Sequence, residues 1–168
     1  DMFARVTTDR TEHSINSSLE LFEGLGRPEI KRLGTYFTVL DVKAGRNLGR
    51  RGTLCQHFGV VLSGQVAMSF DDSPVGIIPA GCFFGAVALL NPNGDYRRRG
   101  SATALDDSRL AIASPRDFAG LLYMFPLIAQ RIYGVVDQRR AFVVGAGQET
   151  IETSELTRQR EFPMHIPV

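Results

Sequence analysis

The clearest structural signal in this sequence is FGVVLSGQVAMSF, residues 58–70. Six of its apolar residues share one parity, and three polar residues take the other, with Phe58, Val60, Leu62, Val66, Met68 and Phe70 opposite Ser63, Gln65 and Ser69. This period of two predicts β-strand structure with one buried face. Gly64 interrupts the apolar face once, so we expect a bend, a bulge or a hairpin at that residue.

Further short strands are predicted on both sides of this stretch. Before it, Tyr36–Val42 is rich in β-branched and aromatic residues and ends at Lys43-Ala44-Gly45. After it, turns and strands alternate in the order Asp71-Asp72-Ser73-Pro74, Val75–Ile78, Pro79-Ala80-Gly81, Ser101–Leu105, Asp106-Asp107-Ser108 and Arg109–Ala113. Short strands separated by such turns predict an antiparallel barrel or jelly roll.

Helical patterns precede the strands. A short apolar stripe after Ser17-Ser18 ends at Gly24 and Gly26, and Pro28-Glu29 begins a second apolar run. We therefore expect two short N-terminal helices. Together with the strands, they indicate a fold that is mainly β with flanking helices (α+β).

Helical patterns also follow the strands. Ser114-Pro115-Arg116-Asp117 combines an N-cap residue, a first-turn proline and an acidic residue, so we expect a helix from there until Pro126 interrupts it. A longer helix should follow, because Ile128, Ile132 and Val135 recur at helical spacing. We expect that helix to fray at Gly145-Ala146-Gly147.

The composition is that of one ordinary globular domain, with 168 residues, 43% hydrophobic and 22% charged. We divide the chain into an N-terminal tail at 1–16, a single domain at 17–147 and a flexible C-terminal tail at 148–168. The last part is polar and contains Pro163 and Pro167. After the long helix, too few residues remain for a helix-turn-helix, which disfavours a complete transcription factor.

The net charge of the chain is too small to attract it as a whole to nucleic acid or to an anionic membrane. Nineteen basic residues against 18 acidic ones leave a net charge of +1, so we expect no direct nucleic-acid partner and no membrane partner. No apolar stretch approaches the roughly 20 residues of a membrane helix, and no signal segment opens the chain. These features favour a soluble cytoplasmic protein.

Cysteines and histidines give no sign of metal or nucleophilic chemistry. Cys55 and Cys82 lack CxxC spacing and are interpreted as small packed residues in a reduced compartment. His13, His57 and His165 lie far apart in the sequence, so ordinary histidines are favoured over a metal site. Because no paired acids stand out either, we expect no metal, no cofactor and no enzymatic activity.

Positive charge gathers at Arg97-Arg98-Arg99. Lys31 and Lys43 are the only lysines among the 19 basic residues, so all the others are arginines. Upstream of this run, Gly85 precedes the apolar stretch Ala86–Leu90. A glycine followed by a helical turn presents free backbone N–H groups, and an arginine fork completes a pocket for one phosphate. A solvated charge run on a loop is the alternative interpretation of the same residues.

A set of ordered motifs extends from about Leu19 to Val143. In chain order they are Leu21-Phe22-Glu23-Gly24-Leu25, Glu29-Ile30 with Leu33, Lys43-Ala44-Gly45, Arg50-Arg51-Gly52, Val60-Val61-Leu62-Ser63-Gly64-Gln65-Val66, Pro79-Ala80-Gly81-Cys82-Phe83-Phe84-Gly85, Ala104-Leu105-Asp106-Asp107-Ser108-Arg109-Leu110, Asp117-Phe118 and Pro126. In this order and spacing the chain resembles the cyclic-nucleotide-binding domain family, found in catabolite-activator-type regulators and in the regulatory subunit of cyclic-AMP-dependent kinase.

The resemblance implies an eight-stranded jelly-roll-like β-roll flanked by helices, with a phosphate-binding cassette at Phe84–Ala102 and a C-terminal lid helix. It implies a regulatory domain that binds a cyclic nucleotide, with cyclic AMP favoured over cyclic GMP. The implied phosphate ligand is Arg98, or Arg99 if the loop shifts by one residue. The ligand-binding residues are Gly85, Ala86, Val87, Ala88, Arg98, Arg99 and Ser101. We also expect an output domain or partner outside this chain. We expect a homodimer that forms through the helix at 127–144.

One position departs from the family pattern. The family usually has a glutamate directly after the cassette glycine, where its carboxylate accepts a hydrogen bond from the ribose 2′-hydroxyl, but this chain has Ala86. Losing a hydrogen bond to a charged group, about 1.5–3 kcal/mol, predicts roughly ten- to hundredfold weaker binding. Asp95 is a candidate substitute. The alternative function is a degenerate module that binds no nucleotide and acts in protein interaction or assembly.

Overall fold

Residues 4–5, 15–70 and 73–148 are described by the computed structural model, and their strands form two antiparallel sheets. The strands are β1 (Ala4–Arg5), β2 (Thr38–Val42), β3 (Asn47–Gly49), β4 (Phe58–Ser63), β5 (Gln65–Phe70), β6 (Ser73–Pro79), β7 (Phe83–Phe84), β8 (Ser101–Ala104) and β9 (Ser108–Ala113). The helices are α1 (Arg27–Gly34), α2 (Ala86–Leu89), α3 (Pro115–Met124) and α4 (Pro126–Gln148), with a short 3-10 helix at Glu20–Phe22.

The two sheets have the strand orders β1-β2-β9-β4-β7 and β3-β8-β5-β6. This arrangement, with helices packed beside it, confirms the predicted mainly β fold with flanking helices. Nine strands are present in the described residues, where the family resemblance implies eight. The two-residue strands β1 and β7 lie at the two edges of the first sheet.

Gly64 is the point where the chain passes from one sheet to the other. It has a φ of 86°, which side chains other than glycine rarely adopt, and a Cβ there would overlap with Ser108. The interruption predicted at Gly64 is therefore present. However, β4 and β5 do not pair with each other, because β4 bonds to β7 and β9 while β5 bonds to β6 and β8.

Strand β4, inside the first sheet, is buried on both faces. All residues of β4 except Ser63 are buried, so the predicted half-buried alternation is wrong for this strand. Phe58 and Val60 belong to the apolar cluster shared with the helices. Val61, on the opposite parity, belongs to the cluster enclosed between the two sheets. A strand in the middle of three layers has no solvent-facing side, and both parities are therefore apolar.

The two long C-terminal segments begin where the sequence predicts. The Ser114 side chain accepts a hydrogen bond from the backbone N–H of Asp117 at 3.1 Å, and α4 begins at Pro126. Phe118 of α3 stacks on Phe58 with ring centroids 4.4 Å apart. The helix α4 continues to Gln148 and does not fray at 145–147.

No single helix in the described residues is long and apolar enough to cross a membrane. The helices α3 and α4 pass that test of length and composition only when taken together, and they are bent by 117° at their junction.

Several predicted boundaries differ from the structure. The first N-terminal helix is only a 3-10 helix, which is enough to bury Leu21 and Phe22. Ser73 and Pro74 belong to strand β6, not to a turn. Strand β8 ends at Ala104, and β9 already begins at Ser108 because that residue pairs with Val42.

Parts of the predicted tails are outside the described residues, as is the predicted turn at Asp71-Asp72. These parts are 1–3, 6–14 and 149–168. Within the region assigned to the N-terminal tail, Ala4 and Arg5 pair with Asp41 and Leu40 of β2.

Candidate ligand-binding site

Gly85 is the turn from strand β7 into the short helix α2. Its φ is 92°, and a Cβ at this position would overlap with the carbonyl oxygen of His57. Only glycine fits both constraints. The N–H groups of Ala86, Val87 and Ala88 come directly after this turn, where a helix has no acceptors of its own for them.

Among the arginines whose side chains the structure describes, only Arg98 is buried, with 8% of its surface exposed. Its backbone is held from both sides, since its N–H donates to Thr53 O at 2.7 Å and its carbonyl accepts from Gly52 N–H at 2.8 Å. The guanidinium lies over Gly49, where a Cβ would overlap with Nε and Cζ of Arg98. The absence of a side chain at Gly49 creates the space that the guanidinium occupies.

The buried charge of Arg98 has no anionic partner in the part of the chain that the structure describes. No carboxylate pairs with it, and no group there hydrogen-bonds to its guanidinium. Taking an unpaired cation out of water is costly, and a bound anion offsets that cost. A buried guanidinium in such surroundings can bind an anion.

The segment Cys55–His57 packs against the turn at Gly85. The Cys55 thiol is 3.3 Å from His57 O and 3.5 Å from Gly85 O. Burial raises the pKa of the Cys55 thiol, and the charge of Arg98 partly offsets this effect. Burial and the charge of Arg98 both lower the pKa of His57. Gly85 and Arg98 are distant in the sequence, but both contact the segment 53–57. Gly85 contacts His57 O and Cys55 Sγ, and the N–H of Arg98 donates to Thr53 O.

Sequence reasoning did not place His57 or Gly49 in this site. It interpreted His57 as an ordinary histidine, and Cys55 as a packed residue, which agrees with its 4% exposure. No spacing rule connects residues 49, 57 and 98, because their proximity depends on how β3 and the loop before β4 meet the cassette. The only signal in the sequence was that His57 directly precedes the clearest strand.

The remaining predicted site residues differ in exposure. Arg99 is exposed and Val87 is half-buried. Ser101 is half-buried, and its Oγ accepts a hydrogen bond from Arg51 N–H at 3.0 Å. Ala86 is fully buried in the cluster shared with the helices.

Asp95, the candidate replacement for a glutamate at position 86, has a local structural role. Its carboxylate accepts a hydrogen bond from Arg97 N–H at 3.2 Å. Its backbone carbonyl accepts another from the Asn91 side chain at 2.8 Å. The residue is exposed and these bonds shape its own loop.

A second polar depression lies at the other end of the first sheet. It has a volume of about 320 Å³ and is lined by Asp41, Val42, Lys43, Ser63, Asp107, Ser108 and Arg109. Its charges pair with each other, because Arg109 Nε is 2.9 Å from Asp41 Oδ1 and Lys43 Nζ is 3.5 Å from Asp107 Oδ2. Across the described ranges no cluster of three or more potential metal-ligating side chains occurs.

Comparisons with known proteins agree on one family. The family model described as cyclic nucleotide-binding domain matches residues 39–123. A curated relative, the cyclic AMP receptor protein of Thermus thermophilus, is 26% identical over 124 residues, which are 71% of this chain and 56% of the relative. The chain thus spans little more than half the length of that relative.

Two solved structures have a similar fold. Cyclic-AMP-bound PfPKA-R has a TM-score of 0.68 at 17% identity, over 84% of this chain and 48% of that chain. A mutant of the cAMP-binding acyltransferase from Mycobacterium smegmatis has a TM-score of 0.63 at 25% identity, over 80% of this chain and 43% of that chain.

Proposed function

This chain belongs to the cyclic nucleotide-binding domain family, and from that premise we propose that it is a regulatory domain whose ligand is a cyclic nucleotide, first of all cyclic AMP. The observation that carries the proposal is Arg98, a buried guanidinium without an anionic partner among the described residues. A cyclic phosphate supplies the single negative charge that this site lacks. No reaction is assigned to this chain, whose role is to bind and to signal.

The proposed ligand contacts divide between two segments of the cassette. The phosphate is held by the Arg98 guanidinium and by the backbone N–H groups that follow Gly85, at Ala86, Val87 and Ala88. Charge-assisted hydrogen bonds of this type are about twice as strong as neutral ones. Arg99 and Ser101 flank the phosphate, and the half-buried Val87 side chain gives the site an apolar wall.

Signal transmission is proposed to run from α2 to the C-terminal helices. Ala86 of α2 belongs to the same apolar cluster as Ile132 and Val136 of α4. Because close-packed clusters transmit small shifts, a ligand that moves α2 also moves α4. We propose that α4 passes this movement to an output domain or partner outside the chain, and that residues 127–144 form a homodimer.

Calorimetric titration with cyclic AMP and cyclic GMP tests the proposal. We expect wild-type protein to bind, with cyclic AMP the tighter ligand, and Arg98→Gln to weaken binding at least about tenfold because a charge-assisted bond is lost. Arg97→Gln is the matched control, since the same change at the other, exposed neighbour should alter affinity less than about threefold. Thermal unfolding of each variant establishes that it is folded.

A degenerate module remains the second candidate function, and Ala86 is the observation that favours it. This residue is fully buried and offers no acceptor for a ribose hydroxyl. The same titration separates the two candidates. Absence of heat with both nucleotides at about millimolar concentration, where even a weak site of about 4 kcal/mol is half occupied, would favour the interaction module.

A further inference from the structure

We propose that the outer side of the loop that carries Arg98 is a docking surface for an acidic, partly apolar segment of a partner protein. We call this surface the outer cassette face and define it by Arg50, Leu54 and Arg97, with Tyr96 at its edge. The proposal goes beyond the proposed function, because it concerns the other side of the loop and needs no bound nucleotide.

The pairing of Leu54 with Arg97 has one buried and one exposed side. The two residues are antiparallel partners, and the N–H of Arg98 donates to Thr53 O beside them at 2.7 Å. Side chains of directly opposed residues point to one side, and those of their chain neighbours to the other. The neighbours Cys55 and Arg98 are buried, whereas Leu54 is 61% exposed and Arg97 is exposed. Leu54 and Arg97 therefore share the solvent side, and Arg98 lies on the opposite side of the same loop.

Positive charge is concentrated around this pair. The segments 50–54 and 95–99 carry five arginines and one acidic residue, Asp95. A turn brings Arg50 to the same surface, since the N–H and the hydroxyl of Thr53 both donate to the Arg50 carbonyl, at 3.2 and 2.6 Å. The Asp95 carboxylate accepts the N–H of Arg97 within its own loop. The net charge of +1 for the whole chain thus conceals a local cationic surface, to which carboxylates are complementary.

The apolar part of this face favours a protein over a nucleic acid as the partner. Leu54 and Tyr96 are 61% and 47% exposed beside Arg97. Arginine and tyrosine are enriched in protein interfaces, and covering an exposed leucine contributes about 25 cal/mol per Å² of apolar surface. A phosphate backbone matches the arginines but leaves Leu54 uncovered. An acidic segment that contains leucine matches both the charges and the apolar group.

An NMR titration of ¹⁵N-labelled protein with the peptide EELDELLEE tests the proposal. We expect backbone amide shifts at 50–54 and 95–99, and half-saturation below about 1 mM peptide, which corresponds to a weak but specific site. The double variant Leu54→Ser with Arg97→Gln removes the apolar group and one charge. It should bind the peptide at least about fivefold more weakly.

Two controls separate this surface from general attraction between opposite charges. The matched variant Leu105→Ser with Arg27→Gln removes an exposed leucine and an exposed arginine elsewhere, and should bind the peptide as the wild type does. A second peptide has serine in place of each leucine and should bind at least about fivefold more weakly, because it cannot cover Leu54. Thermal unfolding establishes that each variant is folded.

The inference is wrong if about 1 mM peptide shifts no amide of the outer cassette face, or if Leu54→Ser with Arg97→Gln binds the peptide as tightly as the wild type. It is also wrong if the serine peptide or single-stranded oligothymidine binds as tightly as EELDELLEE. Calorimetry with cyclic AMP keeps the two proposals apart, because this double variant should retain its nucleotide affinity within about threefold. Nucleotide binding without peptide binding contradicts only this inference, and peptide binding without nucleotide binding contradicts only the proposed function.

Discussion

At the scale of single residues, the candidate site depends on two positions that have no side chain, Gly49 and Gly85. Gly49 has no side chain, and Arg98 occupies the resulting space over β3. Gly85 has no side chain either, and His57 O approaches it. One glycine thus leaves room for a buried cation, and the other allows the tight turn before α2.

Gly49→Ala should displace Arg98 without changing the fold. The added methyl group would overlap with the guanidinium, which would have to leave its buried position. We expect cyclic AMP binding to weaken about tenfold or more, because a charge-assisted contact is lost. Calorimetric titration measures the change.

Gly34→Ala is the matched control, because a Cβ at Gly34 meets nothing within 4 Å. Its affinity should equal that of the wild type. An unchanged affinity in Gly49→Ala would contradict the assignment of Arg98 to the ligand.

At the scale of elements, α3 packs on the first sheet, and the contact between Phe118 and Phe58 is part of this packing. Phe118 is 2% exposed and stacks on Phe58, itself in contact with Phe83 at a centroid distance of 5.5 Å. The opposite side of the same helix presents Tyr123, which is 84% exposed. One helix therefore offers a buried and an exposed aromatic residue for comparison.

Phe118→Ala should reduce the free energy of unfolding by about 3–5 kcal/mol, the usual cost of removing a buried phenylalanine and leaving a cavity. Denaturant unfolding at constant pH measures this loss. Tyr123→Ala should change stability by less than about 0.5 kcal/mol, because its ring is in solvent. Equal losses in the two variants would show that α3 does not dock as described.

At the scale of the whole molecule, α4 connects the cassette to the N-terminal part of the chain. It packs beside α2 and the 3-10 helix. Arg131 Nη1 donates to Leu21 O at 3.0 Å, so the helix is tied directly to that turn. A displacement of α4 therefore affects both the cassette and the segment before β2.

The proposed homodimer through α4 has a measurable consequence. Leu127 and Tyr133 are 43% and 46% exposed on this helix, and burying such side chains stabilises an interface by about 25 cal/mol per Å² of apolar surface. Light scattering coupled to gel filtration should give a dimer for the wild type. The double variant Leu127→Glu with Tyr133→Glu should give a monomer.

Leu105→Glu is the control for the dimer, because Leu105 is also 43% exposed but lies outside α4. It should leave the dimer intact. A wild-type monomer at about 100 μM, well above the dissociation constant of a typical stable dimer, would contradict the proposal.

The features that local chemistry determines were predictable from the sequence. The cap at Ser114, the break at Pro126 and the glycine turns at Gly64 and Gly85 each depend on neighbouring backbone geometry, and each is present in the structure. The period of two at 58–70 likewise identified strand structure. The buried Val61 was not expected, because periodicity cannot show that a strand is covered on both sides.

The sequence by itself therefore determined the longer strands, the helices around them, the mainly β fold and the two segments of the candidate site, but not the short strands β1, β3 and β7. Only the tertiary structure decided that Arg98 is buried while Arg99 is exposed, and that the Arg98 guanidinium lies over Gly49. The physical reason is distance along the chain. Strand parity and capping act over a few residues, whereas the contact between Gly49 and the Arg98 side chain joins residues that are far apart in the sequence.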